Sequence, residues 1–124
     1  MLGAINSCAA ETLAMAKHMG LSQKMLVDVA IAARGRILSD VYMEVGRRVS
    51  EGHYADPTFT LAMLAKDNKL CLAMAEQYDL PLILGKAVGE VNDMALAAGL
   101  GNEDHACVWK AVSQNWNSKK ITSK

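Results

Sequence analysis

Lys66 sits among the residues best suited to chemistry in this chain. In the segment Phe59-Thr-Leu-Ala-Met-Leu-Ala-Lys-Asp67, Phe59, Met63 and Lys66 fall at i, i+4 and i+7, which is one face of a helix. Asp67 follows directly, and Lys69, three residues beyond Lys66, points partly the same way. A lysine held against an apolar wall can bind an anion or the polar edge of a ligand, with Asp67 fixing its pose. The alternative is a lysine that snorkels from the edge of a buried stripe.

Other chemistries find less support. A metal site needs three or four ligands in register. His18, His53 and His105 are isolated, and His105 and Cys107, two apart on a predicted helix, point to different faces, so no metal is expected. There is no serine elbow and no CxxC. Neither GxGxxG nor GxxxxGK[ST] occurs, so the usual dinucleotide cradle is not expected within these residues. Cys8, Cys71 and Cys107 are odd in number and far apart. They read as buried thiols of a reducing compartment, and a cytoplasmic location is expected.

The whole composition narrows the classes further. Thirteen basic residues balance thirteen acidic ones, and the two sides of Pro57 are each balanced as well. Neither nucleic acid nor a membrane surface is therefore expected as a partner. No apolar run reaches the roughly 18 residues of a membrane helix. Met1–Ala16 lacks a basic n-region and is interrupted by Glu11, so it does not read as a secretory signal. A chain of 124 residues, 52% hydrophobic and 21% charged, suits one globular domain.

The elements that must carry Lys66 all read as helices. Leu2 to Met19 is alanine-rich, mostly apolar and closed by Gly20. Ser22 caps a second helix, which Arg34-Gly35-Arg36 interrupts. Ser39 or Asp40 caps a third, with Val41, Val45 and Val49 on one side, and Glu51 to Thr58 reads as a loop. Thr58 or Thr60 opens the fourth, near Thr58–Tyr78. One apolar stripe runs Phe59, Met63, Leu70, Ala73, Met74, and a second runs Leu61, Leu64, Leu72, Ala75. Two stripes place this helix at the centre of the domain. Pro81 to Ala98 forms a fifth, and Asn102 caps a last helix from Glu103 to roughly Asn115. The expectation is an all-α bundle of about six helices over residues 1–116, with a flexible tail at 117–124.

The segment Phe59–Asp67 resembles a motif of the β-hydroxyacid dehydrogenases, the family of 3-hydroxyisobutyrate and tartronate semialdehyde reductases. There an aromatic residue precedes a Lys-Asp pair by seven positions on a central helix. Ala10-Glu11-Thr12-Leu13-Ala14 and Met19-Gly20-Leu21 are similar to that family's glutamate-bearing helix and its glycine-leucine stop. Leu80-Pro81-Leu82 and Gly99-Leu100-Gly101-Asn102-Glu103-Asp104 resemble the ends of its next two helices. Order and gaps agree over roughly Met1 to Val112. The resemblance is to the family's C-terminal helical domain, the 6-phosphogluconate dehydrogenase-like one.

The resemblance implies an oxidoreductase that uses NAD or NADP and acts on the CH–OH group of a small 3-hydroxy acid. Lys66 would reach the nicotinamide end of the cofactor, and Phe59 and Asp67 would line the same cleft. It also implies a Rossmann domain and a KxxNN motif, whose lysine is the proposed acid/base. Met1 aligns immediately after that motif. These 124 residues are therefore expected to hold no catalytic residue, to carry no bound cofactor and to be inactive alone. Arg34-Gly35-Arg36 stands where the family often has a serine-glycine pair, which leaves the substrate class open. The alternative is a free-standing helical oligomerisation or interaction module without cofactor. Either way a homodimer is expected, burying Ile5, Ala9 and Leu13 of the first helix.

Overall fold

Helix ends set the frame of the computed structural model, which describes residues 1–33 and 39–116, with side chains to residue 114. Arg34-Gly35-Arg36 and the tail 117–124 lie outside the described residues. The helices are α1 (Leu2–His18), α2 (Gln23–Ala32), α3 (Asp40–Glu51), α4 (Leu61–Glu76), α5 (Ile83–Ala97) and α6 (Val108–Trp116), with a 3-10 turn at His105–Cys107. The all-α class and the six helices are as the sequence implies. The described residues hold no strand, only an isolated antiparallel bridge between Thr60 and Asp104.

Local chemistry accounts for these boundaries. Ser22, Ser39 and Thr60 each cap a helix by accepting a hydrogen bond from the backbone N–H three residues on. Helix α1 closes through Gly20 at φ 77°, with Leu21 N–H donating to the Ala16 carbonyl. Asp79, the one non-glycine residue described at positive φ (52°), closes α4 the same way, Leu80 N–H donating to the Ala75 carbonyl. Asn102 does not cap the last helix. Asp104 caps the 3-10 turn by accepting from Ala106 N–H, and α6 starts only at Val108.

The centre of the domain is α1, not α4. Helix α1 packs against α6, α3, α5 and α2, and Ala9, Ala10, Leu13 and Ala14 are wholly buried. Small side chains make this possible. At Gly3 an added Cβ would lie 2.8 Å from Val88 Cγ1, so only glycine lets α1 approach α5 so closely. This corrects two expectations. Helix α4 packs chiefly on α5 and the 3-10 turn. Its stripe of Leu61, Leu64 and Ala75 is buried, but Met63, Leu70 and Met74 are 48%, 57% and 63% exposed. Likewise Ala9 and Leu13 are covered within the chain, so that face cannot form the dimer contact expected of it. Its neighbours within the chain supply that cover. No helix among the described residues is long and apolar enough to cross a membrane.

Candidate functional site

Everything that points Lys66 outward depends on how α4 begins. The segment before it is laced to residues 101–106. Leu61 N–H donates to the Glu103 carbonyl, Ala62 N–H to Gly101, His105 N–H to Phe59 and Asp104 N–H to Tyr54, all at 2.9–3.0 Å. Asp104, fully buried, holds the same segment with its side chain. Its Oδ2 accepts from both the N–H and the hydroxyl of Thr58 at 3.0 Å. The buried Arg48 of α3 sits 3.6 Å from that oxygen and donates to the Asp56 carbonyl at 3.0 Å. A buried ion pair persists when its remaining hydrogen-bonding capacity is met, as it is for these two.

Burial alone would raise the Asp104 carboxyl. Hydrogen bonds from Ala106 and Thr58, with the nearby His105, outweigh it and hold the group below its ordinary value. Burial lowers His105, the Arg48 charge adds to this, and the Asp104 charge offsets part of it. His105 thus favours the neutral form, and its ring meets that of Phe59 in an edge-type contact at 6.4 Å between centroids.

The outer face of α4 carries Lys66. A shallow hollow of about 390 Å³ lies there, lined by Ala62, Ala65, Lys66, Lys69, Leu70 and, from α5, Leu96. The Lys66 ammonium is 3.2 Å from Asp67 Oδ1, and both side chains are more than half exposed. Lys69 is instead held across to α5 by Asp93 at 2.8 Å. The chemistry available is a cation above an apolar floor, open to a ligand from one side.

The three residues singled out from the sequence are placed unequally. Lys66 lines the hollow, whereas Asp67 is not part of its lining and pairs with the lysine. Phe59 is half-buried and lies outside α4, since Thr60 is the N-cap. The face shared by Met63 and Lys66 therefore does not extend to Phe59 as helix. Arg48 and Asp104 escaped sequence reading, although an arginine beside the buried Val45 and Val49 on α3 was a signal. Cys8 and Cys71 are exposed rather than buried, and only Cys107 is enclosed. Among the described residues no three His, Cys, Asp or Glu side chains group as metal ligands.

Comparison with known proteins decides the family. Residues 1–112 match the family described as "NAD-binding of NADP-dependent 3-hydroxyisobutyrate dehydrogenase". The chain belongs to that family. Glyoxylate/succinic semialdehyde reductase 1 of Arabidopsis thaliana is 28% identical over 112 residues, covering 90% of this chain and 38% of the reductase. The cytokine-like nuclear factor N-PAC of Aedes aegypti is 34% identical over 100 residues, covering 81% of this chain and 17% of that protein. The crystal structure of a 3-hydroxyisobutyrate dehydrogenase from Salmonella typhimurium superposes with a TM-score of 0.79 at 28% identity, over 88% of this chain and 37% of the enzyme. The chain thus spans 17% to 38% of the length of these proteins. What the family shares with it is this helical domain.

Proposed function

We propose that the chain serves as the helical domain of an NAD(P)-dependent β-hydroxyacid dehydrogenase, acting on the CH–OH group of a small 3-hydroxy acid. The observation that carries this reading is the open apolar face of α4 with Lys66 upon it. A surface helix ordinarily turns such a face inward. Left open, it suits one wall of a cleft whose other wall lies elsewhere in the assembled enzyme.

The residues present fit one end of the cofactor. Ala62, Leu70 and Leu96 offer a flat apolar floor to an aromatic ring, and Lys66 offers a donor to a polar substituent on it. Nothing in the hollow supplies the glycine-rich turn and helix N-terminus that hold a pyrophosphate. When bound, the nicotinamide supplies the hydride chemistry. This chain's residues hold and orient its ring and keep water from one side. Phe59, through its carbonyl bond to His105, and Asp67, through its pairing with Lys66, position the wall. The family resemblance assigns the acid/base to the lysine of the KxxNN segment rather than to a residue of this hollow.

A fusion tests the reading. The chain joined to the part of the Arabidopsis reductase that it does not cover should oxidise NAD(P)H with a small aldehyde acid, and the chain alone should not. Lys66→Ala in the fusion should raise the KM for cofactor about tenfold, the worth of one charge-assisted hydrogen bond of roughly 1.4 kcal/mol. A folded, active fusion indifferent to Lys66→Ala would remove the assignment. A second reading, an association module without cofactor, is favoured by the mosquito relative, which is named a nuclear factor rather than a reductase. That reading expects a folded fusion with no turnover at all.

A further inference from the structure

Lys66 shares its hollow with a second cation, Lys69, which the seating of a ring does not require. The two lysines are three residues apart on α4, so their side chains leave the same face of the helix. Ala62, Ala65, Leu70 and Leu96 complete the lining as an apolar floor. Of these six residues only Lys69 also lines a second hollow, of about 510 Å³, towards the end of α4. It therefore marks the far end of the first hollow. At roughly 1.5 Å per residue it stands about 10 Å along the helix axis from Ala62.

The two ammonium groups are held differently. Lys66 turns to its neighbour Asp67 at 3.2 Å. Lys69 reaches across to Asp93 of α5 at 2.8 Å, and these two side chains are 59% and 55% exposed. An ion pair so open contributes little, so an incoming anion can take the place of the carboxylate. Until then Asp93 keeps the ammonium extended from α4 towards α5, which spares a ligand part of the cost of ordering a long side chain. Asp93 also cancels the Lys69 charge, as Asp67 cancels that of Lys66. A locally neutral site steers no anion from a distance, so selection there comes from direct contact.

We propose that Lys69 is a specificity residue that reads a phosphate, with Asp93 holding its place in the free chain. The hollow then takes a nucleoside monophosphate unit, its ring on Ala62 and Leu96 and its phosphate at Lys69. A ribose between ring and phosphate gives a ligand of about the length of the hollow. An anionic group borne directly on the ring would stop at Lys66 and fall short of Lys69. A single lysine acts on a phosphate as a point charge and does not replace the glycine-rich turn that holds a pyrophosphate. The inference rests on the cofactor reading and extends it from the ring to the phosphate nearest the ring.

Amide-shift titrations of the labelled 124-residue chain with nicotinamide mononucleotide and with nicotinamide riboside, at low salt, test it. The mononucleotide should bind about fivefold more tightly, the upper end of what one exposed charge contact supplies. Lys69→Ala should bring the two ligands to near equality while the ring-dependent shifts at Ala62 and Leu96 persist. Lys69→Arg should keep the preference, and Asp93→Asn should enlarge it. Both positions are exposed, so the circular dichroism melts of all three variants should match that of the unmodified chain. Equal affinity of the two ligands at the hollow would overturn the Lys69 assignment and leave the cofactor reading standing. A preference that survives Lys69→Ala would overturn it too, by placing the phosphate elsewhere. If neither ligand shifts the hollow, the cofactor reading falls and this inference falls with it.

Discussion

Helices α1 and α4 are nearly equal in length, at 17 and 16 residues, and both are apolar on more than one side. Their surroundings differ. Four helices surround α1, and Ala9, Ala10, Leu13 and Ala14 are sealed. Helix α4 leans chiefly on α5 and the 3-10 turn, so its stripe of Met63, Leu70 and Met74 stays open with Lys66 beside it. Apolar content tells how many sides of a helix can be covered. The number of neighbours decides how many are. A helix with two apolar sides and cover on only one is suited to be a wall.

The sharpest way to break this comparison is to place the same kind of insult on both helices. Ala9→Glu would bury an unpaired carboxylate in the core and should leave the chain unfolded by circular dichroism, rather than dissociate a dimer. Leu13→Ala should cost about 2–5 kcal/mol in urea unfolding. Leu70→Ala on α4 should stay within about 0.5 kcal/mol. Equal losses at Leu13 and Leu70 would mean that α4 is covered after all.

Asp104→Asn probes what aims the wall. It removes the charge beside Arg48 and sets an amide NH2 against a donor, either Thr58 or Ala106 N–H, and should cost about 1–3 kcal/mol. Amide exchange should quicken first at Leu61 and Ala62, whose N–H groups depend on the laced segment. Amides of α1 should change only as much as global stability does. Uniform loss across both helices would remove the positioning role.

Acidification acts on the same cluster. The folded values of His105 and Asp104 both lie below their ordinary ones. The unfolded chain therefore binds these protons first, and stability falls with falling pH. The His105 part begins to go below about pH 6.5, and the Asp104 part below about pH 4. His105→Phe should flatten the thermal midpoint between pH 5 and 7 while leaving the lower limb. The smallest effect is on thiols. Burial, with the Glu103 charge, pushes Cys107 up to about 12, so a disulfide reagent at pH 8 should label Cys8 and Cys71 and spare Cys107 until the chain unfolds.

The legible parts of this protein were the local ones. Ser22, Ser39 and Gly20 act within four residues of themselves, and their roles follow from type and position. The Lys66-Asp67 pair was legible because a motif of adjacent residues carries it. The place of α1 was not, because periodicity says nothing of which neighbours exist. Asp104 drew no notice beyond its place in the Gly99–Asp104 segment. Its partner Thr58 lies 46 residues away in sequence, and only the folded chain brings Arg48 to it. The register of Phe59 turned on which threonine caps α4, and Thr58 and Thr60 are equally good caps by type. Thr58 is already engaged by Asp104, which leaves Thr60 to cap.

The central claim is that the outer face of α4 receives the nicotinamide end of a cofactor. A titration of the isotope-labelled chain with nicotinamide mononucleotide, followed by amide shifts, tests it most directly. The account predicts weak, millimolar binding, since one exposed charge contributes only about 0–1 kcal/mol. The shifts should be confined to Ala62, Lys66, Lys69, Leu70 and Leu96 and should be lost in Lys66→Ala. Shifts centred on any other face, or none at this one up to about 50 mM, would contradict it, because binding weaker than that leaves less than roughly 2 kcal/mol for the whole site.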